Sequence, residues 1–205
     1  MNLLELSRSL VHSCCPIRIG VDNSEGGNRI GGTPPSGVKP AVVKPWTRYF
    51  LTLALEDERE ELSIFLAAQN PSEILTNRFR LMKQDSQFLQ LVFHPPACRA
   101  NQAEFASDLS AHHLVIESEI PDLISEPGAV DHKIGGLPYY HHDYVGQLGD
   151  DTNHALSSGY HHFLQFSFPG SEDGAMEGNW PFGEYVFHLF AKWQSTNWDF
   201  LYGWA

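Results

Sequence analysis

Alternation of apolar and polar positions at a period of two is the main order in this chain. Phe50-Leu51-Thr52-Leu53-Ala54-Leu55 and Phe163-Leu164-Gln165-Phe166-Ser167-Phe168 both alternate, and both are rich in aromatic and branched side chains. That pattern suits strands with one buried face. Gln87 to His94, His113 to Glu117 and Glu184 to Phe190 add three more predicted strands. Helical periodicity is rarer: residues 2–12 and 101–109 carry it, and Pro71 to Met82 is ambiguous. Gly20 to Pro40 and Pro169 to Pro181 are rich in glycine, proline and polar residues and read as long loops. The sum is an α+β fold, mostly antiparallel β, with a few short helices.

The same segments echo one another. Asn28-Arg29-Ile30-Gly31-Gly32-Thr33-Pro34 and His132-Lys133-Ile134-Gly135-Gly136-Leu137-Pro138 share the form basic-Ile-Gly-Gly-x-Pro. The two Phe-Leu strands follow in the same order, and then Ile64 to Ala67 is matched by His188 to Ala191. Three matches in one order predict an internally duplicated unit. The chain is then one domain, residues 1–205, of two tightly packed or intertwined halves at about 15–100 and 101–205. In each Gly-Gly-x-Pro element the glycines reach positive φ freely and the proline prevents a helix from starting. Gly31, Gly32, Pro34, Gly135, Gly136 and Pro138 are therefore structural turn residues. They do not form a phosphate cradle, since no Lys-Ser/Thr follows them.

On these residues the chain resembles the YwqG-like bacterial family of unknown function. In that family a His-Lys-Ile/Leu-Gly-Gly-x-Pro turn leads to a Leu-Leu-Gln strand, an acidic loop and an aromatic strand. His132 to Pro138, Leu164-Gln165-Phe166, Glu172 to Trp180 and Tyr185-Val186-Phe187 would be the counterparts. The resemblance covers 132–193 best and implies a β-rich duplicated fold, with no activity attached. The Trp-Gly-Asp order of the family's loop is missing here.

Charge changes the picture more than composition does. Apolar residues at 42% and charged residues at 19% are ordinary for a globular chain. The formal charge of −12 is very unevenly spread: residues 1–100 hold 11 Lys/Arg against 10 Asp/Glu, and residues 101–205 hold only Lys133 and Lys192 against 15 acids. A second half at −13 repels phosphates, which excludes nucleic acid as its partner. No apolar run approaches the ~20 residues of a membrane span. Residues 1–8 read as amphipathic and not as a signal peptide. Three cysteines, Cys14, Cys15 and Cys98, form neither a disulfide framework nor a Cys-x-x-Cys pair, and point to a reduced, cytoplasmic protein.

Candidate chemistry is sparse. Six histidines, His132, His141, His142, His154, His161 and His162, are interspersed with Asp143, Asp150 and Asp151, a composition open to a metal ion. Their spacing matches no established ligand motif, and neighbours such as His161 and His162 point to opposite faces of a strand. Metal binding or a small metal-dependent enzyme therefore stands as the alternative, beside a plain ligand-binding or scaffold module. No nucleophile elbow is present, and neither metal nor cofactor is expected. What remains is a non-catalytic acidic binding protein that receives a basic protein partner. In size and charge it is similar to immunity proteins that neutralise a cognate, nuclease-type bacterial toxin by direct binding. The expected contact residues are Asp143, Asp150, Asp151, Glu172, Asp173 and Glu177.

Overall fold

The period-two segments become strands. A computed structural model of the chain describes residues 2–20, 27–56, 60–67, 80–83, 88–97, 105, 107, 109–122, 132–139, 147–167, 181 and 185–204. In chain order the strands are β1 (Ser13–Ile19), β2 (Arg29–Ile30), β3 (Thr47–Glu56), β4 (Glu60–Ala67), β5 (Met82–Lys83), β6 (Leu89–His94), β7 (His112–Ile116), β8 (Ile120–Pro121), β9 (His132–Gly135), β10 (His161–Phe166), β11 (Phe187–Gln194) and β12 (Asn197–Trp204). A short 3-10 turn spans Pro40–Val42.

Among the described residues two α-helices accompany the strands. In α1 (Leu3–Ser9) the Asn2 side chain accepts the Leu4 N–H, and Leu4 and Ser7 face inward one turn apart. The helix stops after Ser9, short of the predicted residue 12, because the chain must extend into β1. The second helix, α2 (Gln147–Ser157), lies in the stretch read only for its histidines, and Gly159 at φ +89° ends it. The predicted 101–109 helix falls mostly outside the described residues. Ser107, within it, bridges to Tyr49 in parallel fashion.

All the strands join one curled sheet in the order β5-β12-β11-β10-β9-β1-β7-β2-β3-β4-β6, with β8 beside β1. Every pairing among the described strands is antiparallel. β1 changes partner at Pro16: Cys14 to Pro16 face β9, and Ile17 to Ile19 face β7. A proline without an N–H fits such a junction. β7 divides likewise, His112 and His113 facing β2 and the rest facing β1. The curl brings the sheet's distant parts together over one core. Phe50 of β3 meets Phe166 and Phe187, Phe88 meets Trp204, and Phe93 of β6 meets Phe200 of β12. Leu51, Leu53, Leu62 and Ile64 line the inner face of the β3–β4 side. A smaller cluster of Tyr49, Phe65 and Val38 forms apart from this core, with Val43 and Val92 packed against it.

Both Gly-Gly pairs adopt left-handed backbone, at φ +70° and +66° for Gly31 and Gly32 and +73° and +72° for Gly135 and Gly136. Each pair packs against the segment leading into a central strand. Gly32 N–H donates to Leu109 O at 2.8 Å, and Gly136 N–H donates to Leu10 O at 2.7 Å. Pro34 is buried and Pro138 half-buried just beyond.

Candidate functional site

The expected contact residues divide sharply. Asp143, Glu172, Asp173 and Glu177 lie outside the described residues, as do His141 and His142. Asp150 and Asp151 sit together near the start of α2, where carboxylates complement the helix dipole. Asp150 is exposed, whereas Asp151 is half-buried and its Oδ2 accepts the Leu81 N–H at 3.2 Å. Asp151 thus ties α2 to the approach to β5, and Asp150 is the freer of the two.

The side chains of the four described histidines of the cluster, His132, His154, His161 and His162, lie apart from one another. His132 stacks on Phe166 at 4.9 Å, and its Nδ1 accepts the Ser167 N–H. His154 is exposed on α2. His161 turns toward α1, with Nε2 3.1 Å from Leu4 O and 3.0 Å from Ser7 Oγ. His162 points the other way, as strand alternation requires. Its Nδ1–H donates to Gly135 O and Gly136 O at 3.1 and 3.3 Å, which leaves Nε2 to accept from His188 Nδ1 at 3.3 Å. Burial holds the rings of His161, His162 and His188 neutral at pH 7. It pushes His161 down to about 4 and His162 to about 3, with Arg8 and Lys133 respectively adding to the effect. His188 is driven well below its ordinary value by burial and then by His162 and Lys133. Among the described residues no three His, Cys, Asp or Glu side chains are grouped to hold a metal ion.

Beneath the second Gly-Gly turn lies a buried clasp. Lys133 Nζ donates to Asp122 Oδ2 at 2.8 Å, to Asp122 Oδ1 at 3.1 Å and to Leu137 O at 2.7 Å. An ammonium has three N–H donors, so all are engaged. Asp122 Oδ2 also accepts the Leu137 N–H at 2.7 Å. A Cβ on Gly136 would stand 2.0 Å from that oxygen, which is why the turn has no side chain there. Cys14 lies against the same group, and burial pushes its thiol up to about 11, so it is no nucleophile at neutral pH.

The other lysine of the second half is also engaged. Lys192 Nζ donates to Ser158 O at 2.6 Å, at the end of α2, and stands 5.4 Å from the Tyr160 ring centroid. Both cations of residues 101–205 are thus directed into the protein's own structure.

A second polar network, on the outer face of β3, β4 and β6, was missed in the sequence. His94 Nδ1–H donates to Pro95 O at 3.0 Å, so Nε2 accepts Ser63 Oγ–H at 2.8 Å. Ser63 Oγ then accepts from Thr52 at 2.6 Å, and Thr52 accepts from Tyr49 at 2.8 Å. Glu61 Oε2 lies 3.6 Å from His94 Nδ1, beyond hydrogen-bond reach. The order serine, histidine, carboxylate suggests a hydrolase. Access decides against it, because Ser63 is 0% exposed, Glu61 2% and His94 6%. A Cβ on Gly37 would lie 2.7 Å from His94 Nδ1 and 2.4 Å from Pro95 O, so the 31–46 loop closes directly over the ring. Burial raises Glu61 to about 7, opposed by the nearby charge of Arg29, and burial also lowers His94. A cavity of about 10 Å³ beside Tyr49, Phe50 and Leu109 is at the lower limit for one water, and neither Ser63 nor His94 lines it. This network holds the outer face together and is closed to solvent. Thr52 and Ser63 stand opposite each other in register, a signal invisible until the strands are paired.

Compared with known proteins, the chain matches no family model, no curated protein and no solved structure. Among the described residues no helix is long and apolar enough to cross a membrane.

Proposed function

We propose that this protein is a non-catalytic acidic binding protein that masks a basic protein partner, acting in the cytoplasm as an immunity protein against a cognate nuclease-type toxin. One observation carries the reading: residues 101–205 hold 15 acids against two lysines, and one of those lysines is paired with a buried acid. Lys133 and Asp122 cancel as a buried ion pair, and the other 14 acids of this half face one further cation, Lys192, held on Ser158 O beside Tyr160. A surface of one sign steers an oppositely charged partner and competes with nucleic acid for its cleft. Among the described residues the serine–histidine pair is the arrangement that resembles catalytic machinery, and it is sealed within the sheet.

The same proposal takes the chain as a duplicated unit of YwqG-like type. The support is structural correspondence. Read inward from β12 and from β6, the sheet gives the same succession: three long strands, a Gly-Gly strand, then a central strand from the other half. The bonds from Gly32 to Leu109 and from Gly136 to Leu10 are counterparts.

The experiment is capture of the tagged protein's partner at moderate and at high salt, followed by reconstitution from purified components. One basic partner at near-equal stoichiometry, with its activity blocked on binding and association slowing steeply as salt rises, is the expected result. A partner that is neutral or acidic, or salt-independent association, rejects the reading. Asp150→Lys is expected to lower the association rate severalfold, and it tests charge more cleanly than Asp151→Lys, which also breaks the bond to Leu81.

A further inference from the structure

We propose that Trp193, paired with Trp198 at the tip of the β11–β12 hairpin, is the aromatic anchor of the acidic half and takes an arginine side chain of the basic partner against its open face. This rests on the binding-protein reading above and names the contact that reading lacks.

The hairpin runs past the core. β11 is buried from Phe187 to Ala191, half-buried at Lys192 and exposed at Trp193 and Gln194. A two-residue turn follows, with Ser195 at φ +51°, and β12 returns in unbroken register with Trp198 opposite Trp193. Trp193 is 48% exposed, a large apolar surface to leave in water. Its position is nevertheless firmly held. Trp198 meets it edge-on at 5.2 Å and is itself packed against His161 at 5.8 Å. Asp199 accepts from both Gln194 and Tyr160, and Lys192 grips the end of α2. An aromatic side chain fixed in an exposed position loses little entropy on binding, which is the property of an interface hot spot.

The chemistry of the occupant follows from comparison with a second exposed indole. Trp46 is 41% exposed, and the ammonium of Lys44 lies over it at 5.0 Å, so that ring already has a cation. Among the described residues no cation lies over Trp193. Its neighbour Lys192 projects to the opposite face of the strand, onto Tyr160. Arg8 of α1 is felt at His161, on the Trp198 side of the pair. The open ring belongs to the half with 15 acids against two lysines, and its electron-rich face favours a cation. Guanidinium is favoured over ammonium, because it is planar, more weakly hydrated and stacks on indole.

The test uses the intact protein with an oligo-arginine peptide and an oligo-lysine peptide of equal length as probes. The indole N–H signals of the five tryptophans are followed by NMR, with Trp193 assigned from its loss in Trp193→Ala. On oligo-arginine the Trp193 signal is expected to shift while that of Trp46 stays still. Trp193→Ala is expected to weaken binding about threefold to tenfold, Trp193→Phe less, and Trp46→Ala not at all. Oligo-lysine is expected to bind more weakly than oligo-arginine. If oligo-arginine binds but the Trp193 signal is unmoved and Trp193→Ala binds equally well, the anchor is wrong while the basic-partner reading stands. If the wild-type protein fails to bind oligo-arginine even at low salt, both are rejected. Thermal melting of each variant separates loss of contact from loss of fold.

Discussion

Gly136 shows how much a single missing side chain carries. Its φ of +72° disfavours any L-residue, and its Cβ position is already taken by the Asp122 carboxylate. Gly27 has a similar φ of +62° with nothing within 4 Å of its would-be Cβ. Gly27→Ala is therefore expected to cost only the backbone strain, ~1 kcal/mol, and Gly136→Ala several times that, because the Lys133–Asp122 clasp must open. Urea denaturation of the two variants checks it, and equal losses would show that the clasp yields freely. The clasp itself gives a second expectation. Lys133→Met alone leaves a buried carboxylate without its cation and is expected to cost about 3–5 kcal/mol, with Asp122→Asn restoring part of the loss in the double variant. The turn was legible from Gly-Gly-x-Pro, since glycine takes that backbone without strain. Asp122 was not, because nothing local marks one carboxylate among many as the one folded beneath a turn.

At the scale of elements, legibility follows the strength of the pattern. β3 and β10 were readable because alternating aromatic and branched residues admit one interpretation. The helix α2 was not: Thr152 and Ala155 are its only fully buried positions among those described, too thin a stripe to stand out among aspartates and histidines. Which strand lies beside which was hidden for another reason. β1 joins β9, and β7 joins β2, across more than 80 residues of chain, and strand pairing of that range leaves no local trace. The duplicated reading makes an expectation here. Leu10 and Leu109 are both buried, and each receives a bond from a Gly-Gly turn. Leu10→Ala and Leu109→Ala are each expected to cost about 2–5 kcal/mol and by similar amounts, measured by denaturant unfolding. A severe loss at one and none at the other would mean the two turns are not equivalent supports.

For the molecule as a whole, the buried histidines make acid stability a test of the core. Unfolded, each titrates near 6.5. Folded, His161 lies at about 4, His162 at about 3, and His188 and His94 are also lowered. As pH falls below 6.5 the unfolded chain takes up protons that the folded chain refuses, so this stability is complete above 6.5 and is lost toward the folded values. Glu61 acts in the opposite sense. Raised to about 7 from 4.5, it keeps its proton in the fold when the unfolded chain has released it, so its contribution is complete below 4.5 and lost as pH rises through 7. Four histidines outweigh one carboxyl in the shared window, and unfolding near pH 5 is expected to take up roughly two to three protons. Stability should therefore fall by about 3–4 kcal/mol per pH unit there, read from denaturant midpoints at several pH values. His161→Gln keeps a donor for Leu4 O and removes one titrating ring, so it should reduce the slope by about one proton. A stability profile flat between pH 5 and 6.5 would mean that water reaches these rings, and that the sheet is less tightly closed over α1 and the second Gly-Gly turn than the burial of His162 and His188 requires.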